Sequence, residues 1–179
     1  MHPRTTELLT HIDTHRAALE RVVDDVPAAL RERRPAPDRW SVSEVLEHLS
    51  IVETSITGLI QKQVDALRAA GESSEPETSS VLPMLDVERL VDRRGKLAAG
   101  ERSRPRGQLG AEAAMQALAS SRGKLRALLI ASDGMPLGKA SAPHPFFGDY
   151  TLYQWVLFIG AHEARHAAQI REIGAALEA

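Results

Sequence analysis

Residues 162–166 read HEARH, two histidines four apart with a glutamate between them. On a helix, positions i and i+4 stand one turn apart on nearly the same face. That spacing lets two imidazoles bind one divalent ion. The letters also match the H-E-x-x-H pattern of zinc peptidases, in which the glutamate is the general base. Three chemistries are therefore open: a peptidase, a metal site of another kind, or two histidines hydrogen-bonded inside a helical core. Spacing alone does not choose, because His11 and His15 repeat it. Position says more. His166 and Glu163 lie on the apolar stripe Leu152, Val156, Ile159, Ile170, Ile173 and Leu177, and His162 borders it. Polar groups on a core-facing turn are costly unless something satisfies them, and a bound ion would.

A peptidase needs a third protein ligand beyond the motif. Gln169 stands where a metzincin bends at glycine, and Glu172 where its third histidine would be. An unbroken helix carries Glu172 to another face, and the edge strand that holds a peptide substrate is missing, so the peptidase reading fits poorly. The third ligand must come from another helix, and His48 is the best placed. It sits seven residues after a helix cap, flanked by the core positions Val45 and Val52. Three histidines with open coordination positions build a reactive centre; the plainer alternative for His48 alone is a satisfied structural histidine. Glu163 is the candidate proton acceptor or orienting carboxylate, against a helix-face carboxylate paired with Arg165 or Arg126. Gln169 either hydrogen-bonds near the site or finishes a polar edge. His144 either gates a site or caps a loop. His15 either lines the pocket or is buried at a helix crossing, the second being the plainer reading. His2 and His11 read as solvated.

Four helical stretches must position these residues. In the first, Leu8, Ile12, His15, Leu19, Val22 and Val26 recur at helical spacing, and Pro27 ends it or opens a short piece, AALRERR. RRPAPDRW reads as a loop. The second stretch opens on SVSE, a capping box between Ser41 and Glu44, and runs to Ala70, where Gly71 stops it. GESSEPETSS then reads as a polar, mobile linker. Between Val81 and Gly110, MLDVERLVDRRGKLAAG holds one short helix and ERSRPRGQLG an irregular crossover. The third stretch spans Ala111 to Ala131, with Met115, Leu118, Leu125 and Leu129 inward. A loop, SDGMPLGKASAPHPFFGDY, leads to the fourth, capped by Thr151 with Gln154. The expected architecture is all-α: a four-helix bundle with a long connection between its second and third helices, a single domain over residues 1–179.

Composition narrows the function classes. The 179 residues are 43% apolar and 26% charged, an ordinary globular balance. A net charge of −2 gives no attraction to nucleic acid or anionic membrane, and RSRPRG is too short a basic run to change that. No cysteine is present, which excludes disulfides, cysteine zinc sites and a thiol nucleophile of the chain's own. The N-terminus lacks the apolar run of a secretory signal, and WVLFIGA is far shorter than a membrane span, so a cytoplasmic protein is expected.

WSVSEVLEHLSIVE, HPFFGDYTLYQW and HEARHAAQI together resemble the DinB-like superfamily of metal-binding four-helix bundles, in matching element order over nearly the whole chain. Residues 71–110 resemble nothing specific. The resemblance implies one divalent ion, usually nickel or zinc, held by His48, His162 and His166. It also implies a small-molecule substrate and homodimers. Family members with known activity include thiol S-transferases using bacillithiol or mycothiol, and a mycothiol-dependent maleylpyruvate isomerase. The expectation is thus a metal-dependent S-transferase or hydrolase with a low-molecular-weight thiol as cosubstrate. The competing expectation is a non-catalytic metal-binding or stress-related small-molecule-binding protein.

Overall fold

A computed structural model of the chain describes residues 1–94 and 99–178. It is mostly helical, with a small two-stranded sheet. Four long helices, α1 (Pro3–Asp24), α2 (Val42–Ala69), α4 (Ala111–Ala131) and α5 (Leu152–Glu178), are joined by a short α3 (Val87–Val91) and by β1 (Ser141–His144) and β2 (Gly148–Thr151). None of the described helices is long and apolar enough to cross a membrane.

The caps form where the sequence places them. Ser41 Oγ accepts the Glu44 N–H at 3.2 Å while Glu44 accepts the Ser41 N–H at 2.9 Å, closing the capping box of α2. Thr151 and Gln154 do the same for α5, at 2.9 and 3.3 Å. The first turn of α4 lacks a local side-chain cap and borrows one: Glu32 Oε1 accepts the Ala111 N–H at 2.7 Å.

α1 lies along α5 and α2 along α4, with α2 also touching α5. Their apolar faces form two clusters. One joins Leu8 and Ile12 of α1, Ile56 to Leu67 of α2, Leu125 and Leu129 of α4, and the first turns of α5. The other joins Leu19 to Val26, Val42 to Leu49, Ala111 to Leu118, and Ala167 to Ile173. Membership fixes the helix directions. α1 and α5 run from the first cluster to the second, and α2 and α4 run from the second to the first. Because α4 starts at the end where α2 started, the chain must return the length of α2, about 42 Å for 28 residues. The chain between Ala69 and Ala111 covers this distance.

Three segments differ from expectation. The segment from Ser132 to Tyr150, read as loop, contains a 3-10 turn and a β-hairpin that pairs Ala142 with Tyr150 and His144 with Gly148. Strands of four residues, one holding Pro143, carry too little alternation to be legible; Gly148, at φ +78°, makes the turn. GESSEPETSS is tied down rather than mobile. Glu75 accepts from Tyr153 Oη at 2.7 Å and pairs with Arg4 at 3.0 Å, and its N–H donates to the Gly134 carbonyl at 2.7 Å. The expected short helix after Val81 is a 3-10 turn at Leu82–Met84 followed by α3; the GKLA part of that expectation lies outside the described residues.

Candidate metal centre

Between the two apolar clusters the core is interrupted by a polar storey, and the sequence-derived trio sits in it. His48 projects from α2, and His162 and His166 from α5. One ligand nitrogen from each lies within 4.8 Å of the others. The Nε2 atoms of His48 and His166 stand 3.3 and 3.1 Å from Nε2 of His162. Two imidazole nitrogens at about 2.05 Å from a tetrahedral ion are about 3.3 Å apart, so the spacing suits a small divalent cation.

Outer partners set the tautomers. His48 Nδ1 lies 2.6 Å from the Ser103 carbonyl, which can only accept, so the proton is on Nδ1 and Nε2 keeps its lone pair. His166 Nδ1 donates to Gln169 Oε1 at 2.8 Å. The same oxygen receives Arg93 Nη1 at 3.3 Å, and Arg93 grips Glu172 at 2.9 and 3.0 Å, a chain of charge leading from the surface to a ligand. Burial pushes all three imidazoles below their usual pKa, so they are neutral and able to ligate at pH 7. A single proton on His162 Nε2 can serve one neighbour at a time and leaves a buried lone pair unmatched. A cation at the shared point serves all three, so the residues present fit a metal.

The remaining candidates fall in different places. Gln169 stands beside the trio, its Oε1 2.8 Å from His166 Nδ1. Glu172, where a metzincin's third histidine would stand, is engaged by Arg93. Glu163 is 2% exposed and pairs with neither Arg165 nor Arg126. Arg126 binds Asp13, and Arg165 Nη1 donates to the carbonyls of Leu90, at 3.1 Å, and Asp92. Glu163 instead accepts from Arg16 Nε at 2.8 Å and faces Arg122 Nη2 at 3.0 Å. Those arginines also hold Glu53, at 2.9 and 2.6 Å. The result is a buried ring, Arg16, Glu53, Arg122 and Glu163, with one residue from each long helix and no net charge.

His144 sits among Phe147, Tyr150, Trp155 and Phe158, with ring centroids 4.6–5.1 Å away, and burial lowers its pKa to about 4. Phe158 in turn stacks on His162 at 5.3 Å, so the hairpin walls the site through aromatic contacts. His15 is half-buried and packs over Gly160 at the α1–α5 crossing. His11 belongs to the same crossing and is not solvated: it bonds the Leu157 carbonyl at 2.9 Å. His2, partly exposed, is the N-cap of α1 and accepts the Arg4 N–H at 3.2 Å.

Sequence reasoning missed the Ser103 carbonyl, Arg93 and the ring. Backbone carbonyls leave no trace in a sequence. The ring does: Arg16, Glu53 and Arg122 each replace the apolar residue due between Ile12 and Leu19, Leu49 and Ile56, and Leu118 and Leu125. A lone charge on each stripe, at matching height, is a readable sign of a polar storey.

Fold and site together define a mainly helical protein with a three-histidine cluster, two of the three buried, suited to a divalent ion. The chain belongs to the DinB superfamily, whose family model matches residues 11–170, a span that holds all three histidines. It is similar to the uncharacterized protein YuaE of Bacillus subtilis (strain 168), 26% identical over 147 residues, which cover 82% of this chain and 84% of that protein. No solved structure matches the chain.

Proposed function

We propose that this protein is a metal-dependent enzyme: a four-helix bundle that holds one divalent ion, zinc or nickel, on His48, His162 and His166, and transfers or hydrolyses groups on a small molecule. The observation that carries it is the convergence of three neutral Nε2 atoms whose opposite nitrogens, on His48 and His166, are already committed as donors. Three protein ligands leave coordination positions for other groups. Bound there, the ion would supply a positive charge that favours the deprotonated form of a thiol or a water near neutral pH. Everything else is this chain's work. Ser103 and Gln169 fix the imidazole planes of His48 and His166. Phe158 and Trp40 flank the ligand rings at 5.3 and 5.1 Å and limit water. Since the chain has no cysteine, a thiol nucleophile would arrive as a low-molecular-weight cosubstrate. Family resemblance supports that choice, together with a homodimeric, cytoplasmic protein. Glu163 is 2% exposed and held by Arg16 and Arg122, so a direct role for it as proton acceptor is not part of this proposal.

One observation favours a second reading, an ion held for structure. His48 and His166 are only 4% and 7% exposed. The test is elemental analysis of untagged protein, followed by ligand exchange. About one ion per chain, with a cobalt-substituted visible spectrum that changes on adding small thiols, supports the enzyme. A spectrum indifferent to every thiol supports the structural ion, and no metal at all removes both.

A further inference from the structure

Two of the three candidate ligands have their outer nitrogen held by protein, His48 by the Ser103 carbonyl and His166 by Gln169. The third does not: among the described residues no hydrogen bond reaches His162 Nδ1. A metal-bound histidine almost always gives that proton to a carboxylate, a carbonyl or a water. Beside His162 lies a cavity of about 10 Å³ lined by Leu49, Val52, Glu53, Ile159, His162 and Glu163. That volume is about the room one water needs, provided polar groups line it.

The two carboxylates lining the cavity are not equivalent. Glu53 is saturated: Oε1 accepts from Arg122 Nε at 2.6 Å, and Oε2 accepts from Arg16 Nη2 at 2.9 Å and Ser121 Oγ at 2.7 Å. Glu163 is not. Its Oε1 takes Arg16, while Oε2 has only the ion pair with Arg122 Nη2 at 3.0 Å and no well-aligned hydrogen bond. A buried carboxylate oxygen with one poorly aligned partner has room to accept a further hydrogen bond, and Glu163 lines the same cavity as His162.

We propose that Glu163 is a positioning residue for His162, acting through one water held in this cavity: the water accepts the His162 Nδ1 proton and donates to Glu163 Oε2. Arg16 and Arg122 then hold the Glu163 carboxylate in place, and the carboxylate orients His162. This rests on the metal reading above. It explains why Glu163 occupies the second place of HEARH with no exposure for acid–base work: the residue serves the ligand beside it, not the substrate.

The test uses cobalt(II) as the probe on the full, untagged chain, comparing wild type, Glu163→Gln and Glu53→Gln. Both variants weaken the ring and lower the melting temperature. Only Glu163→Gln is expected to weaken cobalt affinity, by about tenfold, and to shift the visible ligand-field band, the size of effect typical of an outer partner. Glu53→Gln is expected to keep the wild-type band and its affinity to within about twofold. A Glu163→Gln protein with wild-type band and affinity overturns the proposal while leaving the metal site standing. Wild type that binds no cobalt overturns the metal reading as well. Should Glu163→Gln not fold, nitrogen-15 histidine spectra of zinc-loaded wild type decide the matter. A slowly exchanging His162 Nδ1 proton with a cross-peak to a long-lived water supports the water bridge, and a fast-exchanging proton with none refutes it.

Discussion

Arg122→Met is the sharpest perturbation of the polar storey. Arg122 is 5% exposed and pairs with Glu53 at 2.6 Å and Glu163 at 3.0 Å, besides donating to the Ile12 carbonyl. Methionine fills much of the same volume, so the cavity contribution is small. What remains is one arginine, Arg16, facing two carboxylates that are 2–3% exposed. Removing one partner of a buried pair costs about 3–5 kcal/mol, because the charge left behind is uncompensated. A domain of this size unfolds with about 5–15 kcal/mol, so the loss is a large fraction of the whole. At about 2–4 °C per kcal/mol the melting temperature falls by about 6–20 °C. Urea unfolding in the presence of a chelator measures it without any contribution from metal. Adding Glu53→Leu to Arg122→Met leaves a neutral Arg16–Glu163 pair, so the double variant is expected to lose less than the sum of the singles, by about 1–3 kcal/mol. A single-variant loss under about 1 kcal/mol, with additive doubles, would refute the idea that these four residues act as one unit.

His48→Ala is expected to lower metal content from about one ion per chain to near zero while the far-ultraviolet spectrum stays helical; full occupancy in that variant dismisses the trio. Gly160→Ala puts a Cβ within 2.7 Å of His11 Cδ2 and 2.8 Å of His15 Cδ2, prying α1 from α5. It is expected to cost about 1–3 kcal/mol by overpacking, and His11→Ala in the same chain to recover part of that in denaturant melts. Glu75 is pushed up by burial, but hydrogen bonds from Tyr153 and the Glu77 N–H, with the Arg4 charge, bring its pKa below the usual carboxylate value. A lowered folded pKa means stability that is full above the unfolded pKa of about 4.3 and lost as pH falls through the folded value. Glu75→Gln is therefore expected to reduce the melting temperature at pH 7 and flatten its decline below about pH 4; an unchanged acid limb argues against the Arg4–Glu75–Tyr153 anchor.

Much of this molecule is written locally. The helix starts at Ser41 and Thr151 are legible because a capping box involves residues three apart, and the stripes of α1, α2, α4 and α5 are legible because helical period is a property of one segment. HEARH is legible for the same reason: its two histidines share a turn whatever else the chain does. His48 could be nominated because its own helix placed it beside an apolar stripe, but that it faces His162 across two helices, with Nε2 atoms 3.3 Å apart, is a tertiary fact. So is the fate of Glu163, which sequence motifs mark as a base and which the packed helices lock between Arg16 and Arg122 instead. Each of those arginines lies far along the chain from residue 163, and no local rule links them. The sequence by itself determined which residues could do chemistry and which helix carries each. The meeting of four helices at one height decided which histidines converge, which groups bond to them, and which charges hold the layer together, because partners in a buried charge network are chosen by proximity in space rather than along the chain.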